Sequence, residues 1–163
     1  MFLVASINAA VGMDEAMAVL RAGGAAVDAV EVAIRAVEAN EDDHSVGYGG
    51  YPNLIGEVEL DAGLMQGEDL AGGAVAALKG YKHPISVARK VMEMGPHVFL
   101  AGEGAARFAA EMGFETEDLL TEAAREVWAN GLRPEFSDED LATIAARDDI
   151  WRWVEIATDP ERT

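Results

Sequence analysis

Residues 44–63, HSVGYGGYPNLIGEVELDAG, constrain the chain more than any other stretch. Gly47, Gly49, Gly50 and Gly56 alternate there with Tyr48, Tyr51, Pro52 and Asn53. Glycine at this density permits positive φ and close approach of another backbone or a ligand. Directly afterwards Val58, Leu60 and Ala62 alternate with Glu57, Glu59 and Asp61, the period-2 pattern of a half-buried strand. A structured loop feeds straight into a sheet. By its residues alone it is either a loop beside a functional site or a tight connection.

The flanks predict an α/β chain. Phe2–Ile7 is a short apolar run of the kind that forms a buried strand. Asp14 is placed to cap a helix through Arg21, which Gly23 and Gly24 stop. A second helix over residues 25–39 carries an apolar stripe of Val27, Val30, Ile34 and Val37. Its other face, Asp28, Glu31, Arg35 and Glu38, reads as solvated. Beyond the glycine loop the pattern predicts a strand over 57–62, a turn at Met65–Glu68 and a strand over 73–78. Pro84 suits the first turn of a helix reaching Met94, with Val87, Val91 and Met94 inward and Arg89, Lys90 and Glu93 outward. A strand over 97–101 and a helix over 102–112 follow, closed by Gly113. The alternation argues for layered α/β structure, with residues 57–78 adding an antiparallel part. Two more helices are expected over 121–129 and 137–156. Residues 1–129 form the core, and 130–163 an acidic, partly helical linker.

Composition narrows the function. With 12 basic and 30 acidic residues among 163, the net charge of −18 argues against nucleic acid or an anionic membrane as partner. No apolar stretch approaches the roughly 20 residues of a membrane span. The absence of cysteine excludes disulfides and thiolate metal sites and fits a cytoplasmic location. Chemistry-bearing motifs are scarce. The run Glu41-Asp42-Asp43-His44 reads as a solvated acidic turn, since consecutive residues rarely point at one ion. Gly102-Glu103-Gly104 puts an acid where a phosphate would sit, and no serine stands in a nucleophile elbow. Met92, Met94 and Met112 read as core. A good core and an elaborate loop stand without a catalytic set.

The run Ser45–Gly67, SVGYGGYPNLIGEVELDAGLMQG, resembles the α-subunit of the Thr-dependent asparaginases, a family of N-terminal nucleophile hydrolases that includes glycosylasparaginases and plant-type asparaginases with isoaspartyl peptidase activity. Further matching stretches lie in order, among them 24–31 (GAAVDAVE), 84–89 (PISVAR) and 102–105 (GEGA), so that the resemblance spans about residues 3–120. It implies half of a four-layer αββα sandwich, completed by a β-subunit cut from the same precursor, and an (αβ)2 assembly. The linker would lead to the cleavage site. The nucleophile in such enzymes is the N-terminal Thr of the β-subunit, and it requires a free α-amine. Thr116, Thr121, Thr143, Thr158 and Thr163 each follow another residue, so no catalytic residue is expected in this chain.

The resemblance assigns Ser45, Val46, Gly47, Tyr48, Gly49 and Gly50 to the loop that supports the nucleophile region, and Ile7 and Asn8 to the substrate pocket. Plant-type members hold a sodium ion on the matching loop through backbone carbonyls. The form here leans toward the glycosylasparaginase branch, so neither metal nor cofactor is expected. Glycosylasparaginases place Trp where Ile7 stands, which implies weaker recognition of a sugar-bearing leaving group. The expected substrate is the side-chain amide of L-asparagine or an N4-substituted asparagine. An isoaspartyl dipeptidase, or a non-catalytic binding or scaffold protein, is the alternative.

Overall fold

The structure is a computed structural model that describes residues 2–130, 142–143 and 146–147. A 3-10 helix, Ile7–Gly12, leads into α1 (Met13–Arg21) and α2 (Ala26–Glu38). After the glycine loop come β1 (Leu60–Met65), β2 (Gly72–Leu78), α3 (Pro84–Met94), β3 (Phe99–Ala101), α4 (Gly102–Glu111) and α5 (Glu122–Ala129). The three strands form one sheet in the order β1-β2-β3, antiparallel in the first pair and parallel in the second. The architecture is α/β.

Helices α3 and α4 cover one face of the sheet. Val75 and Leu78 of β2 meet Val87, Ala88 and Val91 of α3 and Ala105 and Ala109 of α4, with Leu64 and Leu100 packed against them. Along β1 the expected alternation holds, with Val58 and Leu60 buried and Glu57, Glu59 and Asp61 exposed. Pairing nevertheless begins at Leu60 rather than 57. Asn53 bends the preceding segment, its side chain accepting from the Ile55 and Glu57 N–H groups at 3.0 and 3.1 Å. Between Leu60↔Leu78 and Ala62↔Val75 the register slips by one residue on β2. There Ala77 takes φ 50°, and its N–H donates to Asp61 at 2.8 Å. This is a β-bulge held by a carboxylate.

Several expectations need correction. Phe2–Ile7 is not a strand: within the described residues it has no neighbouring ladder to receive its backbone groups, and Ile7 begins the 3-10 helix. Asp14 lies inside the first turn of α1 rather than capping it, because the 3-10 turn runs directly into the helix. Met94 is exposed at the end of α3 rather than inward. The fully buried stripe of α2 is Ala29, Ala33 and Val37, whereas Val27, Val30 and Ile34 are half-buried. Small residues let α1 approach α2 closely, through Ala16 and Leu20 on Ala29 and Ala33.

The largest correction concerns the polar face of α2. It faces α3, with Glu38 buried, Asp28 and Glu31 half-buried and Arg35 still exposed. Arg89 donates to Asp28 at 2.6 Å and to Glu31 at 2.5 Å, and Arg35 donates to Ser86 at 2.8 Å. Ser86 in turn donates to Glu31 at 2.6 Å. Glu38 is only 1% exposed. Spacings of three and four residues put all four side chains on one helix face, and α3 supplies their partners. Hydrogen bonding from Arg89, aided by the Ala25 N–H, holds the Asp28 carboxyl below the usual range. Most of the helix expected over 137–156 and of the 130–163 linker lies outside the described residues.

Candidate functional site

The glycine loop is wrapped around the C-terminal end of α2. The Tyr48 N–H donates to the Glu38 carbonyl at 2.8 Å, that of Gly49 to Leu119 at 2.9 Å, and that of Tyr51 back to His44 at 3.0 Å. Gly47 has φ +74°, and a Cβ there would lie 2.1 Å from the Glu38 carbonyl oxygen. Gly49 has φ +83°, with the Glu41 carbonyl 3.1 Å from where its Cβ would be. At both positions a side chain meets strain and backbone atoms together. His44 stacks on Tyr51 with ring centroids 4.6 Å apart, and its Nδ1 lies 2.7 Å from the Gly49 carbonyl. A carbonyl can only accept, so Nδ1 carries the hydrogen.

Beside the loop opens a polar cleft of about 460 Å³, lined in part by Asn8, Asn40, Asp43, His44 and Ser45. Asp43 ties it together. It accepts from Asn8 at 2.8 Å on one oxygen, and from the Ser45 N–H and hydroxyl at 3.0 and 2.5 Å on the other. Partial burial alone would push this carboxyl up. The bonds from Ser45 and Asn8 outweigh burial and hold it below the usual range. Asp43 is thus a poor base at neutral pH and a good brace. No metal-holding group of His, Cys, Asp and Glu occurs among the described residues.

The residues singled out from the sequence therefore separate into three sets. Asn8 and Ser45 meet at the cleft through Asp43. Val46 and Tyr48 pack on a small core of Val58, Leu60 and Leu119, which seats the buried Gly47, Gly49 and Gly50. Ile7 is 87% exposed and lines no cleft described here. The reading of Glu41–His44 as a solvated turn missed Asp43. The Asp43-His44-Ser45 spacing was the available signal, since Asp readily accepts from the N–H two residues on.

One family profile and three relatives bear on this arrangement. The Asparaginase family profile matches residues 4–151. An N(4)-(β-N-acetylglucosaminyl)-L-asparaginase of Elizabethkingia miricola is 49% identical over 119 residues, covering 73% of this chain and 35% of that protein. An isoaspartyl peptidase/L-asparaginase of Rattus norvegicus is 46% identical over 110 residues, 66% of this chain and 33% of that protein. A plant-type L-asparaginase of Thermococcus kodakarensis is 50% identical over 105 residues, 64% and 34% of the two chains. The aligned region thus spans about a third of each relative's length. With its glycine loop, strand pair and helical cover all inside the matched region, the chain belongs to the Thr-dependent asparaginase family.

Proposed function

We propose that this chain is the α-part of an autoprocessed amidohydrolase that cleaves the side-chain amide of L-asparagine or an N4-substituted asparagine. A Thr at the start of a β-chain from the same precursor attacks the amide carbonyl, and its own α-amine takes the proton. The β-chain also supplies the groups that bind the substrate's carboxylate and ammonium. This chain contributes the loop of residues 45–50 that backs the nucleophile, and the Asn8–Asp43–Ser45 brace beside it. The loop is closed by its own bonds, the Gly47 carbonyl taking the Gly50 N–H and the Gly49 carbonyl taking His44.

The single observation that carries the two-chain reading is the second face of the sheet. Among the described residues, α3 and α4 pack on one face only. The other presents Gly63 and Met65 of β1, Ala74 of β2 and Phe99 of β3, with Met65 67% and Phe99 55% exposed. An apolar face of this kind fits a facing sheet, the inner layer of an αββα sandwich. Assembled pairs join again as (αβ)2.

An isoaspartyl dipeptidase is the second reading, favoured by the Rattus norvegicus relative, whose name carries both activities. The test is a panel of L-asparagine, a β-aspartyl dipeptide and glycosylated asparagine given to the whole protein. Release of aspartate from at least one is expected. Turnover of none would leave the chain a scaffold.

A further inference from the structure

Glu38 stands between the glycine loop and the start of α3. As the last residue of α2 it gives its carbonyl to the Tyr48 N–H, and its backbone forms the wall against which Gly47 lies. Its carboxylate points the opposite way, into the interior. One oxygen accepts from the Ile85 N–H at 3.0 Å, and the other lies 3.1 Å from His83 Nδ1. Both partners stand at the start of α3. Pro84 has no N–H, so Ile85 offers an early amide of that helix without an intrahelical acceptor, and Glu38 satisfies it. The loop touches the same segment a second time, through Lys82 Nζ lying 4.5 Å from the centre of the Tyr48 ring.

Burial makes this an expensive place for a carboxylate. Desolvation pushes the Glu38 carboxyl up, and His83, the Ile85 N–H and Arg35 only partly offset it. An apolar residue would fill the same volume at lower cost, as replacements of buried charged groups show. A carboxyl group here makes directed bonds to the Ile85 N–H and to His83 that an apolar side chain of the same volume could not make.

We propose that Glu38 is a positioning residue that fixes the glycine loop to the start of α3, so that the placement of residues 45–50 depends on the hydrogen bonds of its side chain. The catalytic half of the proposal rests on the reading of that loop as the support of the nucleophile. The structural half stands without it. Misplacement of a supporting element by about 1 Å lowers turnover by up to roughly a hundredfold with little effect on binding.

The test uses the full-length, assembled protein and the variants Glu38→Leu, Glu38→Gln and His83→Gln. Hydrogen exchange of peptides covering 44–50 and 83–87 is read beside kcat and KM for L-asparagine. Glu38→Leu should quicken exchange at 44–50 and lower kcat by roughly tenfold or more, with KM changed by less than about threefold. Glu38→Gln, which keeps an acceptor for the Ile85 N–H, should restore both. His83→Gln should quicken exchange at 44–50 in the same direction and to a smaller extent, which keeps the test decisive if Glu38→Leu does not fold. Unchanged exchange at 44–50 in the Leu and His83 variants overturns the proposal. So does a Gln variant as impaired as Leu. A wild-type protein inactive on every amide defeats the proposed function instead, while the exchange measurements still decide the clamp.

Discussion

Gly47 and Gly23 share a positive φ, and the contrast between them isolates what the loop requires. A Cβ on Gly47 would lie 2.1 Å from the Glu38 carbonyl oxygen, whereas one on Gly23 would meet nothing within 4 Å. Strain from positive φ alone costs about 1–2 kcal/mol for a non-glycine residue. Gly23→Ala should therefore lose about that much stability in a denaturant titration. Gly47→Ala should lose distinctly more, because the wall it meets is main chain and cannot rotate away. Equal losses would mean that Gly47 is only a turn. Ile7 belongs to the same scale. We propose that it stands where the resemblance to glycosylasparaginases implies a Trp, which offers a flat face and an N–H donor that Ile lacks. Ile7→Trp should move the kcat/KM ratio of glycosylated asparagine to free asparagine upward by roughly tenfold or more, the size of one pocket contact. No change in that ratio would place Ile7 outside the substrate pocket, in keeping with its exposure in the isolated chain.

Among the elements, the seam between α2 and α3 has a definite pH signature. Asp28 and Glu93 are depressed, in both cases chiefly by Arg89. Depressed carboxyls stabilise the fold above their unfolded values, and that stability disappears as pH falls below about 4. Glu38 is raised, chiefly by burial, so its sign is opposite. Its contribution is complete below the unfolded value and declines as pH rises through the folded one. Glu38→Gln should accordingly remove a decline in stability on the alkaline side of pH 4, and Arg89→Ala should flatten the acid limb. Thermal melts across pH 3–8 measure both, and an unaltered profile in either variant would refute the assignment. This seam is also where sequence reasoning went astray. Pro84 and Gly95 mark the ends of α3, and Thr121 caps α5, accepting from Ala124 at 3.3 Å, so those elements were legible. The Val58–Leu60 alternation was legible too. A helical period identifies a polar stripe but not what lies opposite, and Asp28, Glu31, Arg35 and Glu38 look solvated until Arg89, Ser86 and His83 are set beside them. Phe2–Ile7 failed for a related reason, since hydrophobicity does not tell a strand from an apolar segment without a ladder. The glycine loop was found from composition alone, but Asp43, which braces it, was hidden in an acidic run.

For the whole molecule, the exposed apolar face of the sheet and the aligned share of its relatives point the same way. Helices on one face leave apolar strand residues that a soluble monomer seldom displays in bulk. In the assembly we propose, a second sheet covers them, completes the layers and brings the nucleophile to the loop of residues 45–50. Residues 2–130 expressed alone should therefore self-associate or melt without cooperativity, and a monodisperse, cooperatively folding monomer would argue that nothing needs to cover that face. We propose that this chain works beside a second one cut from the same precursor. Intact-mass analysis of the protein purified from its full-length coding sequence tests it most directly. Two polypeptides are predicted, one containing this chain and one whose first residue is Thr, whereas a single uncleaved polypeptide that hydrolyses asparagine would contradict it.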